Sequence, residues 1–424
     1  MFSILNHLEI VILCLPLALV LLSLALMPLL ATKFWHKNEV KALSITAVIS
    51  ICLSFILIEN ATSVLHDAVI EDYIPFIITL FTLYFLGHGI HIKLKSSSSS
   101  MANVSFLGVC SVFASLIGTT GASMLFLRSF LEMNRERKNK SHLVIFFIFL
   151  VSNIGGLLTP LGDPPLLIGY IHGVDFFWMS QNLFSSWFLY VAICLLLLFI
   201  IDKIILRKEI TKLNDKKFSV NITGWLNISL IIGAIVVLSA NLKIDYSIFI
   251  KSFILLVFCG ISYVNSKSKQ QEKIDFTPFK EVAITFLVIF VVIAPVLFIL
   301  STHTKSIQEL ISNLSNGTHS SVVYFWLCGL TSSFLDNAPS YLLFFNMAGG
   351  NANELMNVTP SILKAISISS VVMGAMTYIG NAPNMMVRSI SKKHGINMPS
   401  FLGYMLWSCL VILPISFLMS FILQ

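Results

Sequence analysis

Two aspartates sit where a chain this apolar has least use for charge. Asp163 lies in Thr-Pro-Leu-Gly-Asp-Pro-Pro (159–165) and Asp336 in Leu-Asp-Asn-Ala-Pro-Ser (335–340), both inside stretches otherwise rich in Leu, Ile, Val and Phe. An ionisable side chain at membrane depth costs at least about 2.5–3.5 kcal/mol and is read as functional by default. The chemistry open to such a carboxylate is exchange: the same oxygens hold either a proton or a small hard cation. Neutral oxygens gather at the same places. Thr119, Thr120, Ser123, Thr159, Ser340 and Thr377 supply hydroxyls, and Asn153, Asn337 and Asn381 supply amides. With Asp163 and Asp336 they form the candidate ion- or substrate-binding set, and Na⁺ is expected at the two aspartates.

These residues stand at interruptions of helices. Thr-Pro-Leu-Gly-Asp-Pro-Pro (159–165) has an imperfect second copy, Thr-Tyr-Ile-Gly-Asn-Ala-Pro (377–383). Gly and Pro in mid-span break a helix, and breaks paired across two halves mark the substrate site of a secondary transporter. Pro165, Pro339 and Pro383 suit a first helical turn. Asp163, Asn337, Asn381 and Thr120 suit the cap just ahead of it. Each half-helix N-terminus carries about +0.5 of an elementary charge, so four of them would form a polar pocket.

Composition fixes the class. The chain is 56% hydrophobic and 11% charged over 424 residues, against about 25% charged in a soluble domain. It is expected to be an all-α polytopic membrane protein. No basic stripe interleaved with aromatics supports a nucleic-acid partner, despite the net charge of +7. The seven cysteines form no C-x-x-C pair and read as packing residues. No hydrolytic constellation and no G-x-x-x-x-G-K-[ST] loop is present, so an enzyme or an ATP-driven pump is not expected, and no cofactor either. The first apolar segment lacks a basic n-region and is expected to be a retained span.

Apolar runs long enough to cross a bilayer fall near 8–31, 41–59, 73–92, 141–171, 176–201, 223–241, 245–264, 281–301, 360–390 and 401–423. Regions 102–130 and 321–346 are interrupted, by Gly118-Thr119-Thr120-Gly121 and by Asp336-Asn337-Ala338-Pro339. If each dips in and returns to its own side, 22 of the 27 basic residues share one face and two, Lys243 and Lys305, the other. Basic loops mark the cytoplasm, so two re-entrant hairpins are expected, with both termini outside. Three spans, a hairpin, a broken span and a final span then make five crossings per half. An odd number inverts the second half, giving an inverted-topology repeat: 1–201, a basic cytoplasmic linker at 202–222, and 223–424. The alignment pairs Ser123 with Ser340, Thr159 with Thr377, Gly162 with Gly380, Asp163 with Asn381 and Pro165 with Pro383. The serine run 96–100 reads as a flexible loop.

Ser-Asn-Ile-Gly-Gly-Leu-Leu-Thr-Pro-Leu-Gly-Asp-Pro-Pro (152–165) and Met-Thr-Tyr-Ile-Gly-Asn-Ala-Pro-Asn (376–384) resemble the broken-helix signatures of the ion transporter superfamily. Leu-Asp-Asn-Ala-Pro-Ser (335–340) is similar to the hairpin motif of NhaD-type sodium/proton antiporters. The superfamily also holds citrate and dicarboxylate transporters and arsenite efflux proteins. The resemblance implies a moving domain of hairpins and broken helices inside a scaffold, an elevator motion and a homodimer in the cell membrane. It also implies ion- or substrate-binding positions at Asp163, Asp336, Asn153, Thr159, Asn337, Ser340 and Asn381. The first hairpin, Gly-Thr-Thr-Gly-Ala-Ser (118–123), departs from the Ser-Asn-Thr triplet of dicarboxylate carriers. The expected function is exchange of Na⁺ or Li⁺ for H⁺ through the two aspartates; the alternative is a cation-coupled citrate or di- or tricarboxylate carrier. Lipid and the small ion or organic anion itself are the other expected partners.

Overall fold

The computed structural model describes residues 7–95, 98–208, 219–240, 247–268, 276–314 and 320–423. The helices, in chain order, begin with α1 (His7–Leu30), α2 (Thr32–Leu57), α3 (Ala61–His66) and, after a π-helical turn at Asp67–Tyr73, α4 (Ile74–His88). Then come α5 (Ser100–Ile117), α6 (Thr119–Met133), α7 (Ser141–Leu150), α8 (Pro164–Ile171) and α9 (Trp178–Lys208). The second half has α10 (Trp225–Ser239), α11 (Ser247–Ser268), α12 (Thr277–Leu314), α13 (Ser320–Leu335), α14 (Asn337–Met347), α15 (Ala352–Asn357), α16 (Pro360–Met373), α17 (Ala382–Lys393) and α18 (Phe401–Ile422). Among the described residues, eight helical segments are long and apolar enough to cross a membrane, and four shorter apolar helices accompany them. Leu402, Leu406 and Leu410 stand exposed on one face of α18 at helical spacing, a face that suits lipid. α7, apolar all round, is buried from His142 to Leu150, as a helix without a polar face must be.

The fold is not purely helical. β1 (His91–Lys95) pairs antiparallel with β2 (Ser219–Thr223), His91 opposite Thr223 and Lys95 opposite Ser219. Both segments alternate polar and apolar residues, the period of a strand, and each satisfies the other's backbone at the ends of α4 and α10. The serine run is likewise not all loop: the Ser99 hydroxyl caps α5 by accepting from Ala102 N at 3.2 Å, and Ser100 opens the helix. Residues 96 and 97 lie outside the described residues. α9 continues through 202–208, so that part of the expected linker is helical; 209–218 lies outside the described residues.

Both interrupted regions fold back on themselves. α5 and α6 meet at Gly118, and Asn134 Nδ2 returns to Asn103 Oδ1 at 2.8 Å, with Phe106 stacked on Phe130. α13 and α14 meet at Asp336, and the Tyr324 hydroxyl reaches Met347 O at 3.1 Å. The two tips share one backbone shape: Gly118 has φ 81°, ψ 146°, and Asp336 φ 74°, ψ 147°. The left-handed φ suits glycine; Asp336, an L residue, holds it at a cost of order 1–3 kcal/mol.

The base of the first folded-back pair is fixed by a buried ionic network. The Arg137 guanidinium donates to Asp202 at 2.7 Å and to Ser98 O at 3.1 Å, and His142 Nε2 lies 2.9 Å from Asp202. Asn103 completes it from α5. The network ties α5, the α6–α7 turn, the start of α7 and α9 together.

Candidate ion-binding site

The two broken helices share a set of matching hydrogen bonds. After α7 and after α16 the chain winds a short 3₁₀ turn, at Ile154–Leu158 and Gly374–Met376, then runs extended to α8 and α17. The Ser115 hydroxyl donates to Gly155 O, and the Ser333 hydroxyl to Met373 O at 3.1 Å. The Thr159 hydroxyl donates to Ser115 O and the Thr377 hydroxyl to Ser333 O, the latter at 2.6 Å. Each threonine oxygen also accepts the amide two residues on, Leu161 N and Ile379 N, both at 3.2 Å. Through these bonds Thr159 and Thr377 hold the shape of the break.

One offset of 218 residues relates all these pairs, and it also relates Gly118 to Asp336 and Thr119 to Asn337. The serine pairing read from the sequence is corrected by it: Ser340 corresponds to Ala122. Ser340 donates to Asp336 O at 2.8 Å, within its own helix, and Ser123 meets the Ser152 hydroxyl at 2.7 Å. Neither is hydrogen-bonded to an aspartate carboxylate.

At the centre stands Asp163. Its Oδ1 accepts from the Thr119 hydroxyl at 2.5 Å and from Asn381 Nδ2 at 3.2 Å, and its Oδ2 accepts from Asn337 Nδ2. All four side chains are buried. Thr119 and Asn337 are the first residues of α6 and α14, and Asp163 and Asn381 immediately precede α8 and α17. Four half-helix N-termini thus converge on one carboxylate. The Asp163 and Asn381 side chains cap nothing, contrary to the cap role expected of them, which leaves both for the cluster. Asp336 does cap: its Oδ1 accepts from Asn337 N at 2.7 Å. Of the adjacent threonines, Thr119 makes the contact; Thr120, one residue on and so rotated about 100° round the helix, is only half-buried. Asn337 Oδ1 is a buried acceptor with no partner. It adjoins Asp163 and is the cluster's open oxygen.

Asn153 and an unexpected residue, Asn384, brace this centre. Asn381 Nδ2 lies 3.1 Å from Ser152 O and 3.2 Å from Asn153 Oδ1. Asn153 Nδ2 donates to Asn384 Oδ1 at 2.7 Å, and Asn384 Nδ2 to Gly374 O at 2.9 Å and Thr377 O at 3.0 Å. Asn384 therefore clamps the second break to the first. Its sequence signal was its place immediately after Asn-Ala-Pro, on the first turn of α17.

Close backbone approach explains the glycines. A Cβ on Gly162 would stand 2.1 Å from Gly156 O, and one on Gly380 2.6 Å from Gly374 O. Neither carbonyl has a flexible side chain's freedom to move. Gly162→Ala is expected to cost at least about 1–3 kcal/mol and to deplete folded protein, whereas Gly121→Ala, with open space around the added methyl, is expected to be neutral or slightly stabilising. Thermal unfolding of the two purified variants in detergent checks the contrast.

A nearly all-helical chain with eight candidate spans among the described residues is a polytopic membrane protein. A family model described as "Putative citrate transport" matches residues 6–424, and the chain belongs to that family, within the ion transporter superfamily. No curated protein matches it.

Proposed function

We propose that the protein is a secondary transporter that exchanges Na⁺ or Li⁺ for H⁺, with the carried cation held at Asp163 and Asp336. The observation behind this reading is the buried, unpartnered Asn337 Oδ1 beside the Asp163 carboxylate. An acceptor left without a donor in the interior costs about 1–3 kcal/mol, and a bound cation or proton removes that cost. Lys and Arg side chains take no part in the cluster's hydrogen bonds among the described residues, so nothing there matches a multivalent anion charge for charge. Unwound backbone at mid-membrane, as after α7 and α16, is the usual setting of a coupling ion.

In this reading the folded-back pairs α5–α6 and α13–α14 are re-entrant hairpins entering from opposite faces. Residues 1–201 and 223–424 are inverted repeats, and the termini lie outside the cell membrane's cytoplasmic face. Support comes from the single 218-residue offset and from reciprocal packing: α8 lies on α14 and α17 on α6, the exchange a two-fold relation produces. The moving unit is the hairpins and broken helices, carried against the remaining helices in a homodimer.

The family description favours a second reading, cation-coupled transport of citrate or a related carboxylate. There the four N-termini, together about +2, hold the anion once cations have neutralised the aspartates. Proteoliposomes separate the two. Collapse of a preset pH gradient on adding Na⁺, without citrate uptake, is the expected result; citrate accumulation down a cation gradient with no Na⁺/H⁺ exchange overturns the first reading in favour of the second.

A further inference from the structure

α8 and α14 both start at the Asp163 cluster and pack along each other. Their contacts form a ladder. At the first rung Asn337 holds Asp163. At the second, one turn along α14, the Tyr341 hydroxyl occupies the space a Cβ on Gly169 would need, 2.3 Å away. At the third, one turn further, the Phe345 ring lies 5.8 Å from the His172 ring and stacks on Tyr341 at 5.7 Å. Beyond it the helices end at a cavity of about 570 Å³, lined by His172, Gly173, Asn346 and the 349–353 turn. From Asn337 to Phe345 is roughly 12 Å of helix.

We propose that the seam between α8 and α14 is the passage for a monovalent cation between this cavity and Asp163, and that Tyr341 and Phe345 are the plug that closes it. Tyr341 is fully buried, and its hydroxyl lies beside that of Ser367. With one hydroxyl neighbour, the phenol oxygen keeps a lone pair to offer an ion passing the rung. Cation is the class the surroundings select. Two helix C-termini, each carrying about −0.5 of a charge, open on the cavity, its lining contains no Lys or Arg, and aromatic faces attract cations. His172 Nδ1 lies 3.4 Å from Asp72 Oδ1, which places a carboxylate at the rim. The inference rests on the reading of Asp163 as a cation site.

The test is cysteine accessibility in a background with the seven native cysteines replaced. Asn353→Cys places a thiol in the cavity and Asn337→Cys one behind the plug. A membrane-impermeant cationic methanethiosulfonate is expected to label the first quickly and the second at least tenfold more slowly. Phe345→Ala, and to a lesser degree the milder Phe345→Leu, are expected to raise labelling of the second site tenfold, with an anionic reagent of equal size lagging behind. Labelling behind the plug that is unchanged by both Phe345 variants, or equal rates for the two reagents, overturns the proposal. Labelling does not depend on what is carried, so failed Na⁺/H⁺ exchange beside intact plug dependence sinks the transport reading alone.

Discussion

Asp163→Asn is expected to abolish transport, by at least a hundredfold, while the paired exchange Asp163→Asn/Asn381→Asp returns a measurable part of it. The single change turns the acceptor of three donors, Thr119, Asn337 and Asn381, into a group that brings donors of its own. Each donor left facing another donor loses about 1–3 kcal/mol, and no charge remains to hold a cation. The paired change keeps one carboxylate in the same cluster, because Asn381 Nδ2 lies 3.2 Å from Asp163 Oδ1 and the two positions correspond in the repeat. The returned carboxylate still has a half-helix N-terminus behind it. Asp336→Asn, by contrast, keeps an oxygen able to cap Asn337 N, so the variant is expected to insert and fold while cation exchange is lost. Ion flux into proteoliposomes, with folded protein quantified in the same preparations, measures all three.

Arg137→Met is expected to destabilise the protein by about 3–5 kcal/mol, the usual cost of leaving one partner of a buried pair alone. Asp202 is wholly buried, and the guanidinium at 2.7 Å is its only fixed positive charge among the described contacts. Adding Asp202→Leu removes the stranded charge and is expected to recover part of the loss, leaving His142 and Asn103 without their acceptor. Denaturation of the purified variants, compared at matched detergent, gives the two differences. Equal stability of wild type and Arg137→Met would mean that water reaches Asp202.

The places where the backbone breaks were legible in the sequence because Gly, Pro and the capping residues punctuate runs that otherwise have no reason to stop: the breaks fall at Gly118, at 151–163, at Asp336 and at 374–381. The meeting of Asp163, Asn337 and Asn381 was open to the same reading, since each opens a half-helix. Which neighbour faces inward was not. Thr119 and Thr120 are the same residue type, and only the helix start at Thr119 decides between them. The serine alignment missed by one residue because Ser123 and Ser340 match in type but not in place. Thr159 and Thr377 read as ligands from their type, and the bracing bonds they make depend on which carbonyl lies within reach across the fold. The Arg137–Asp202 network was hidden by its setting: arginine in a run of basic loop residues reads as solvated, and nothing local reveals that α9 carries an acid to meet it. The β1–β2 pair did leave a signal, alternation in His-Ile-Lys-Leu-Lys (91–95) and Ser-Val-Asn-Ile-Thr (219–223), but each segment lies at the edge of a longer apolar run that dominates it.

In the proposed function, cation and proton compete for Asp163. Adding Na⁺ to purified protein in weakly buffered detergent solution is therefore expected to release protons, with saturation, and Asp163→Asn to release none. Proton release undiminished in Asp163→Asn, or Na⁺ binding to the wild type with no proton released, would contradict the account.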